Sequence, residues 1–277
     1  MKTALPLVDF AELADRYDVF FLDQFGVLRD DVQPYPGAAE ALLALKERGK
    51  IVVILSNSGR SSDFNAKRFV KLGFDASSFD HFITSGEVAF SILAEAMARG
   101  AIRRSFVISS DGDDEVSQRL GLEATDVAGD ADVVVISGSQ AERISLDRYR
   151  DMLRPAARRG VPCYCTNPDL YKLVQGGQAP GAGMIANLYE ELGGKVVRIG
   201  KPYPEIYAFA LSKVEGHGKV VCVGDSLDHD IAGAAGAGLD SVLVLTGLQQ
   251  GTTGETIAVT SAALGVRPTF LMHRFAK

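Results

Sequence analysis

The run Val19-Phe-Phe-Leu-Asp-Gln-Phe-Gly-Val-Leu28 constrains this chain more than any other stretch. Four apolar residues lead into Asp23, and Gly26 breaks the run soon after. A short continuous apolar run ended by Gly reads as a buried strand that stops at a loop. A strand buried on both faces belongs in a parallel sheet covered by helices. An acid at its last position faces the sheet's carboxyl edge, where open α/β sheets bind ligands. The same Asp also suits a turn or a helix cap, so other stretches must decide its role.

The rest of the chain repeats the strand-then-helix pattern. Val8 to Tyr17 reads as a short leading helix, and the polar, Pro-rich segment Arg29 to Gly37 as a flap over the end of the Asp23 strand. Ala38 to Arg48 is a helix ended by Gly49, and Lys50 to Leu55 a second buried strand. Ser56-Asn57-Ser58-Gly59 then opens a helix to about Leu72. A separate unit starts after Thr84, with helices at Gly86 to Arg99, Leu146 to Arg159 and Gly183 to Leu192. Its strands are Phe106 to Ser109, Val133 to Ser137 and Pro162 to Cys165. The first pattern resumes with strands at Lys195 to Ile199, Lys219 to Val223 and Ser241 to Leu245, helices at Glu205 to Val214 and Ile231 to Gly238, and a last strand near Phe270. Gly247 to Gly254 reads as a loose Gly/Thr segment. The expected architecture is α/β: a doubly wound parallel sheet with a smaller α/β unit inserted. The expected bounds are 1–84 and 196–277 for the sheet domain and 85–195 for the insert.

Composition excludes several function classes. With 47% apolar residues the chain can bury a sizeable core, and a net charge of −6 leaves no general basic footprint for nucleic acid. No apolar run reaches the length of a membrane span, and Asp9 and Glu12 interrupt any leader-like pattern at Met1 to Phe10. The expected compartment is cytoplasmic, with no nucleic-acid or membrane partner. Cys163, Cys165 and Cys222 are too few and too odd in number for a disulfide framework, and read as small buried apolar residues.

Strand ends far apart in sequence meet at one edge of a doubly wound sheet. Here they carry Asp23, Ser56, Lys201 and Asp225 with Asp230. Carboxylates offer hard oxygen ligands for Mg²⁺. Ser56 and the N–H groups after it, at a helix start, make a phosphate cradle, and Lys201 supplies a compact positive charge. A carboxylate can attack phosphorus to give an aspartyl-phosphate. Each residue alone has a plainer use as a cap, turn or surface side chain. Their joint placement points to phosphoryl transfer, which is largely positioning and charge neutralisation.

Four segments, Asp23-x-Phe25-Gly26-Val27-Leu28, Ser56-Asn57, Gly200-Lys201-Pro202 and Gly224-Asp225-Ser226-Leu227-Asp228-His229-Asp230-Ile231, resemble the four motifs of the haloacid dehalogenase superfamily. The insert, with Thr166-Asn167-Pro168-Asp169, is similar to the α/β cap of class IIA, which includes sugar-phosphate and 4-nitrophenyl phosphatases. The resemblance implies a Rossmann-like core, Mg²⁺ and an aspartyl-phosphate intermediate on a small phosphorylated substrate. It makes Asp23 the nucleophile, and gives Ser56, Asn57 and Lys201 the phosphoryl group. Asp23, Asp225 and the Phe25 backbone carbonyl become metal ligands, with Asp230 orienting metal waters or Lys201. It also leaves room for a homodimer through the cap.

One departure bears on activity. Phosphatases of this superfamily usually carry an acid two residues after the nucleophile, to protonate the leaving oxygen and later activate water; here that residue is Phe25. The acid can come from elsewhere, with Asp30, Asp31, His229 and Asp169 as candidates. Alternatively the enzyme is slow or acts on activated phosphoryl groups. In a third reading the protein is a catalytically impaired binding or regulatory module that keeps its phosphate ligand. The insert should close over the site and set specificity. Thr166 to Lys172, with Asn167, Asp169 and Lys172, and the Gly176 to Gly183 loop are its expected substrate contacts.

Overall fold

A computed structural model of the chain describes residues 5–110, 112, 115–174 and 177–277. Residues 1–4, the start of the segment read above for a leader, and Gly176, the start of one expected substrate loop, lie outside them. In chain order the strands are β1 Val19–Asp23, β2 Ile51–Ser56, β3 His81–Thr84, β4 Arg104–Ile108, β5 Glu123–Ala124, β6 Val133–Ile136 and β7 Cys163–Cys165. They continue with β8 Tyr171–Val174, β9 Gly177–Pro180, β10 Val196–Arg198, β11 Val220–Gly224, β12 Asp240–Val244 and β13 Phe270–Met272. The chain divides into two compact units. One comprises the chain up to Ser56, Asp63–Ile83 and Lys201–Lys277; the other comprises Asn57–Ser62 and Thr84–Gly200.

The first unit is built on a six-stranded sheet in the order β13-β12-β11-β1-β2-β3, parallel at every junction from β13 to β2. The apolar run of β1 explains its place: Val19 to Leu22 are all buried, as only a central strand with both faces covered requires. Phe20 and Leu22 join Val52, Ile54, Val221, Val223, Val242 and Val244 in one core cluster with Leu42 and Leu45 of the helix Ala38–Glu47. On β12, Leu243 packs with Leu227, Ile231, Ile257 and Leu271 instead. From β1 the chain steps outward through β2 and β3, then returns on the other side through β11, β12 and β13. The strand order therefore reverses between β1 and β11, and the crevice for a ligand lies beyond their carboxyl ends.

The second unit holds a five-stranded parallel sheet in the order β10-β7-β6-β4-β5 and a separate β8-β9 hairpin. Alternation along β6 feeds two cores. Val134 and Ile136 pack with Tyr149, Leu153 and Ile185, while Val133 and Val135 pack with Leu93, Val116 and Leu120. Cys163 and Cys165 are buried free thiols in the first of these.

The structure departs from the sequence readings at four places. The strand at Val196–Arg198 does not resume the first sheet but pairs with β7 in the second. It is a short edge strand, only half-buried, and too polar for a central position. The helix expected to open at Ser56 starts at Ser62. The intervening backbone is held by the second unit: Ser58 O accepts from Gly86 N–H at 3.0 Å, and Arg60 O accepts from the Thr84 hydroxyl at 2.7 Å. The stretch expected as a substrate loop forms the β8-β9 hairpin. The helix Gly254–Leu264, just after the loose Gly247 to Gly254 segment and covered by no sequence reading, is capped by the Thr253 hydroxyl.

Candidate active site

β1 ends on Asp23 and β11 on Gly224, so the topology sets Asp23 and Asp225 at neighbouring strand ends. Close backbone packing brings them into contact range. Gly26, at φ +79°, and Gly247, at φ +55°, both lie against the Asp225 carboxylate: a Cβ on either would sit within 2.0 Å of Asp225 Oδ2. Only glycine fits both the left-handed backbone and the space. The Thr246 hydroxyl donates to Gly26 O at 2.5 Å and closes this contact.

Carboxylate oxygens of Asp23, Asp225 and Asp230 lie within 4.8 Å of one another. Lys201 Nζ bridges two of these residues, donating to Asp23 Oδ1 at 2.6 Å and to Asp230 Oδ1 at 2.7 Å. The second oxygen of Asp230 accepts from Ser226 N–H at 3.1 Å, so Asp230 is held as a support for Lys201. Asp225 Oδ2 accepts from Leu248 N–H at 2.7 Å, yet Asp225 has no ion-pair partner among the described residues while only 5% exposed. Burial, with the charges of Asp23 and Asp230, pushes its carboxyl up to about 8. Burial likewise raises Asp23 to about 6, opposed by the Lys201 charge. Burial alone would lower the Lys201 ammonium, but the two carboxylates outweigh it and hold Lys201 firmly charged.

When all three carboxylates are ionised, they and the one ammonium carry a net charge of two negatives, and the possible metal ligands are all oxygens. That donor set fits a hard divalent cation such as Mg²⁺, which takes few protein carboxylates and keeps several waters. The loop after Asp23 also carries the Phe25 carbonyl. The Phe25 ring is 42% exposed and lies under the Arg29 guanidinium, with Cζ 3.9 Å from the ring centroid.

The other sequence-predicted residues divide between the units. Ser56 ends β2 beside Asp23 and accepts a hydrogen bond from Gln24 Nε2 at 2.7 Å. Gln24, buried in the loop after Asp23, was missed in the sequence; its signal is a polar residue directly after a buried strand. In the second unit Asn57 Nδ2 donates to Asp169 Oδ1 at 2.9 Å, and Asn167 Oδ1 accepts from Asp169 N–H at 3.2 Å. Lys172 pairs with Glu142 at 2.8 Å and donates to Ser139 O. Of the substitute acids, Asp30 accepts from Gln33 and Val32 N–H at 2.8 Å each, which holds it below the usual carboxylate range.

A sequence profile described as haloacid dehalogenase-like hydrolase matches residues 20–123, and a related profile of the same hydrolase type matches residues 198–276. Ribonucleotide monophosphatase NagD of Escherichia coli K12 is 30% identical over 229 residues, covering 80% of this chain and 85% of the relative. The chain belongs to the haloacid dehalogenase-like hydrolases. D-glycerol 3-phosphate phosphatase of Mycobacterium tuberculosis is 31% identical over 85% of this chain, which spans 65% of that relative's length. A haloacid dehalogenase-like hydrolase from Brucella suis has the same fold, with TM-score 0.81, 28% identity and coverage of 98% of this chain and 99% of that one. A glycerol phosphate phosphatase from M. tuberculosis, solved in complex with magnesium, superposes with TM-score 0.73 and 29% identity, covering 95% of this chain and 77% of that one. No helix among the described residues is long and apolar enough to cross a membrane.

Proposed function

We propose that this protein hydrolyses the phosphate monoester of a small metabolite, a sugar or polyol phosphate, through an aspartyl-phosphate on Asp23. Its family and its phosphatase relatives make it a hydrolase acting on phosphate esters. The observation that carries the finer reading is the buried carboxylate cluster with Lys201 bridging Asp23 and Asp230.

In this reading an oxygen of Asp23 attacks phosphorus, the bond from phosphorus to the ester oxygen breaks, and the leaving oxygen takes a proton from solvent, which the later attack of water returns. Water then attacks the aspartyl-phosphate, releasing inorganic phosphate and restoring the carboxylate. Lys201, Ser56 and Asn57 hold the phosphoryl oxygens. Asp23, Asp225 and the Phe25 carbonyl would hold Mg²⁺, which when bound neutralises charge on the phosphoryl group. Asp230 keeps Lys201 aimed at Asp23. Residues 85–195 act as the cap, with Asn167, Asp169 and Lys172 toward the substrate. A cytoplasmic location and a homodimer through the cap belong to the same reading.

Phe25 favours a second reading, in which phosphate binding persists and turnover is lost, because a phenyl ring can neither give nor take a proton. The two separate in one assay. Turnover of 4-nitrophenyl phosphate and sugar phosphates is measured with and without Mg²⁺, for wild type and Asp23→Asn. Mg²⁺-dependent turnover that Asp23→Asn abolishes is expected. Metal-independent turnover that survives the substitution refutes the mechanism, and Mg²⁺-dependent binding without turnover selects the second reading.

A further inference from the structure

Arg29 lies in the polar segment that reads from sequence as a flap, yet it is only 4% exposed. Its backbone is strapped to the nucleophile loop: Arg29 N–H donates to Gln24 O at 3.0 Å, and Gly26 N–H donates to Arg29 O at 2.9 Å. The guanidinium therefore stands beside the Asp23 loop, stacked on Phe25. Its Nε and Nη1 are buried without a hydrogen-bond partner, and among the described residues no carboxylate forms an ion pair with it. Arg68 lies close enough to add to the local positive charge.

A buried cation with unmade hydrogen bonds is costly, and an aromatic face returns only part of what desolvation takes. A buried polar group left unsatisfied calls for an explanation, and a bound anion supplies one for a guanidinium. Charge counting says which ligand. The net two negatives of the Asp23 cluster are cancelled by a divalent cation, and a phosphate monoester then brings two more. The Lys201 ammonium already faces two carboxylates, Asp23 and Asp230, so its single charge does little to offset the substrate's. Arg29 is a nearby buried cation with no carboxylate paired to it among the described residues.

We propose that Arg29 is the counter-charge for the substrate, its guanidinium binding oxygens of the phosphate monoester presented to Asp23. This rests on the reading of the Asp23 cluster as a phosphate-ester site. A guanidinium suits the role because its planar fork matches phosphate oxygens. It also gives the flap a task, since ligand binding ties Arg29 and the segment behind it to the phosphorylated end of the substrate.

The test uses the full chain, inorganic phosphate as probe, and the variants Arg29→Gln and Arg29→Lys. Thermal unfolding is followed in EDTA, in Mg²⁺, and in Mg²⁺ with phosphate, alongside phosphate inhibition of 4-nitrophenyl phosphate turnover. Arg29→Gln should weaken phosphate by about 10- to 100-fold, the weight of a charge-assisted hydrogen bond, with Arg29→Lys in between. The Mg²⁺ shift should stay as in wild type, and ligand-free Arg29→Gln should be no less stable, because an unpaired buried charge is gone. Unchanged phosphate affinity in folded Arg29→Gln overturns the proposal. So does a ligand-free variant that is destabilised and loses the Mg²⁺ response too, which marks a structural role. If wild type turns over no ester but phosphate still stabilises it through Arg29, the catalytic reading falls and this inference stands.

Discussion

Lys201 offers the sharpest test of how the site is held together. Its ammonium is 5% exposed and touches Asp23 and Asp230 at 2.6 and 2.7 Å. Lys201→Met keeps the length and most of the packing but leaves two buried carboxylates facing each other. Breaking a buried pair from one side costs about 3–5 kcal/mol. Part of that cost can be avoided by protonating Asp23, whose carboxyl already sits near 6. The loss should therefore lie near the lower end at pH 6 and grow toward the upper end at pH 8. Urea unfolding in EDTA measures it, with Lys201→Met/Asp230→Asn as the companion. Removing the second charge should return much of the stability, a coupling expected only between contacting groups. A single variant within about 1 kcal/mol of wild type at pH 8, judged against the cost expected for a buried pair, refutes the reasoning. A double variant no better than the single does the same.

Two further outcomes follow from the same geometry. Asp225 is raised to about 8, above its unfolded value, so the native state keeps a proton that the unfolded state has released. In EDTA that stabilisation is present at pH 5 and is lost as pH rises through 8, and Mg²⁺ should offset the loss at pH 8.5; a urea midpoint flat between pH 5 and 8.5 contradicts this. Phe25→Asp should speed alkyl phosphates more than aryl ones, by up to about 10²–10⁴, because alkoxides need the proton more. Equal acceleration of both ester classes in a steady-state comparison speaks against a missing acid.

Much of the core and its cluster was legible in the sequence because burial leaves a strong pattern. Val19 to Leu22 and Ile51 to Leu55 can be little else than covered strands, and the polar residues after them must lie at the sheet edge. Asp23, Asp225 and Asp230 were placed at one edge that way, whereas Lys201 follows Val196–Arg198, a strand of the other sheet, and only the fold shows it against Asp23. What was not legible depends on pairing rather than pattern. Val196–Arg198 is too short for its sequence to say which sheet it joins, and only its pairing with β7 places it. Tyr171–Val174 and Gly177–Pro180 have a polar face and a turn with no strong signature, so the hairpin looked like a loop. Asn57 to Ser61 carry helix-cap residues, but tertiary hydrogen bonds claimed their backbone first. Arg29 was hidden because a charged residue among Asp, Gln and Pro reads as solvated, and only its burial says otherwise.

The chain order of the first sheet also governs when the protein can become active. β1 sits between β2 and β11, and β11 begins only at Val220. A chain emerging from the ribosome thus carries Asp23 on a strand with one edge bare until nearly four-fifths of the sequence has been made. Most of the second unit, Thr84–Gly200, is contiguous and can form in the meantime. Asp225 and Asp230 lie further along still, so the carboxylate cluster around Asp23 assembles only after that point, and shorter products lack it. The hazard lies in the interval itself, where an uncovered run of Val, Phe and Leu invites mispairing, and that is where slow or chaperone-dependent maturation would originate.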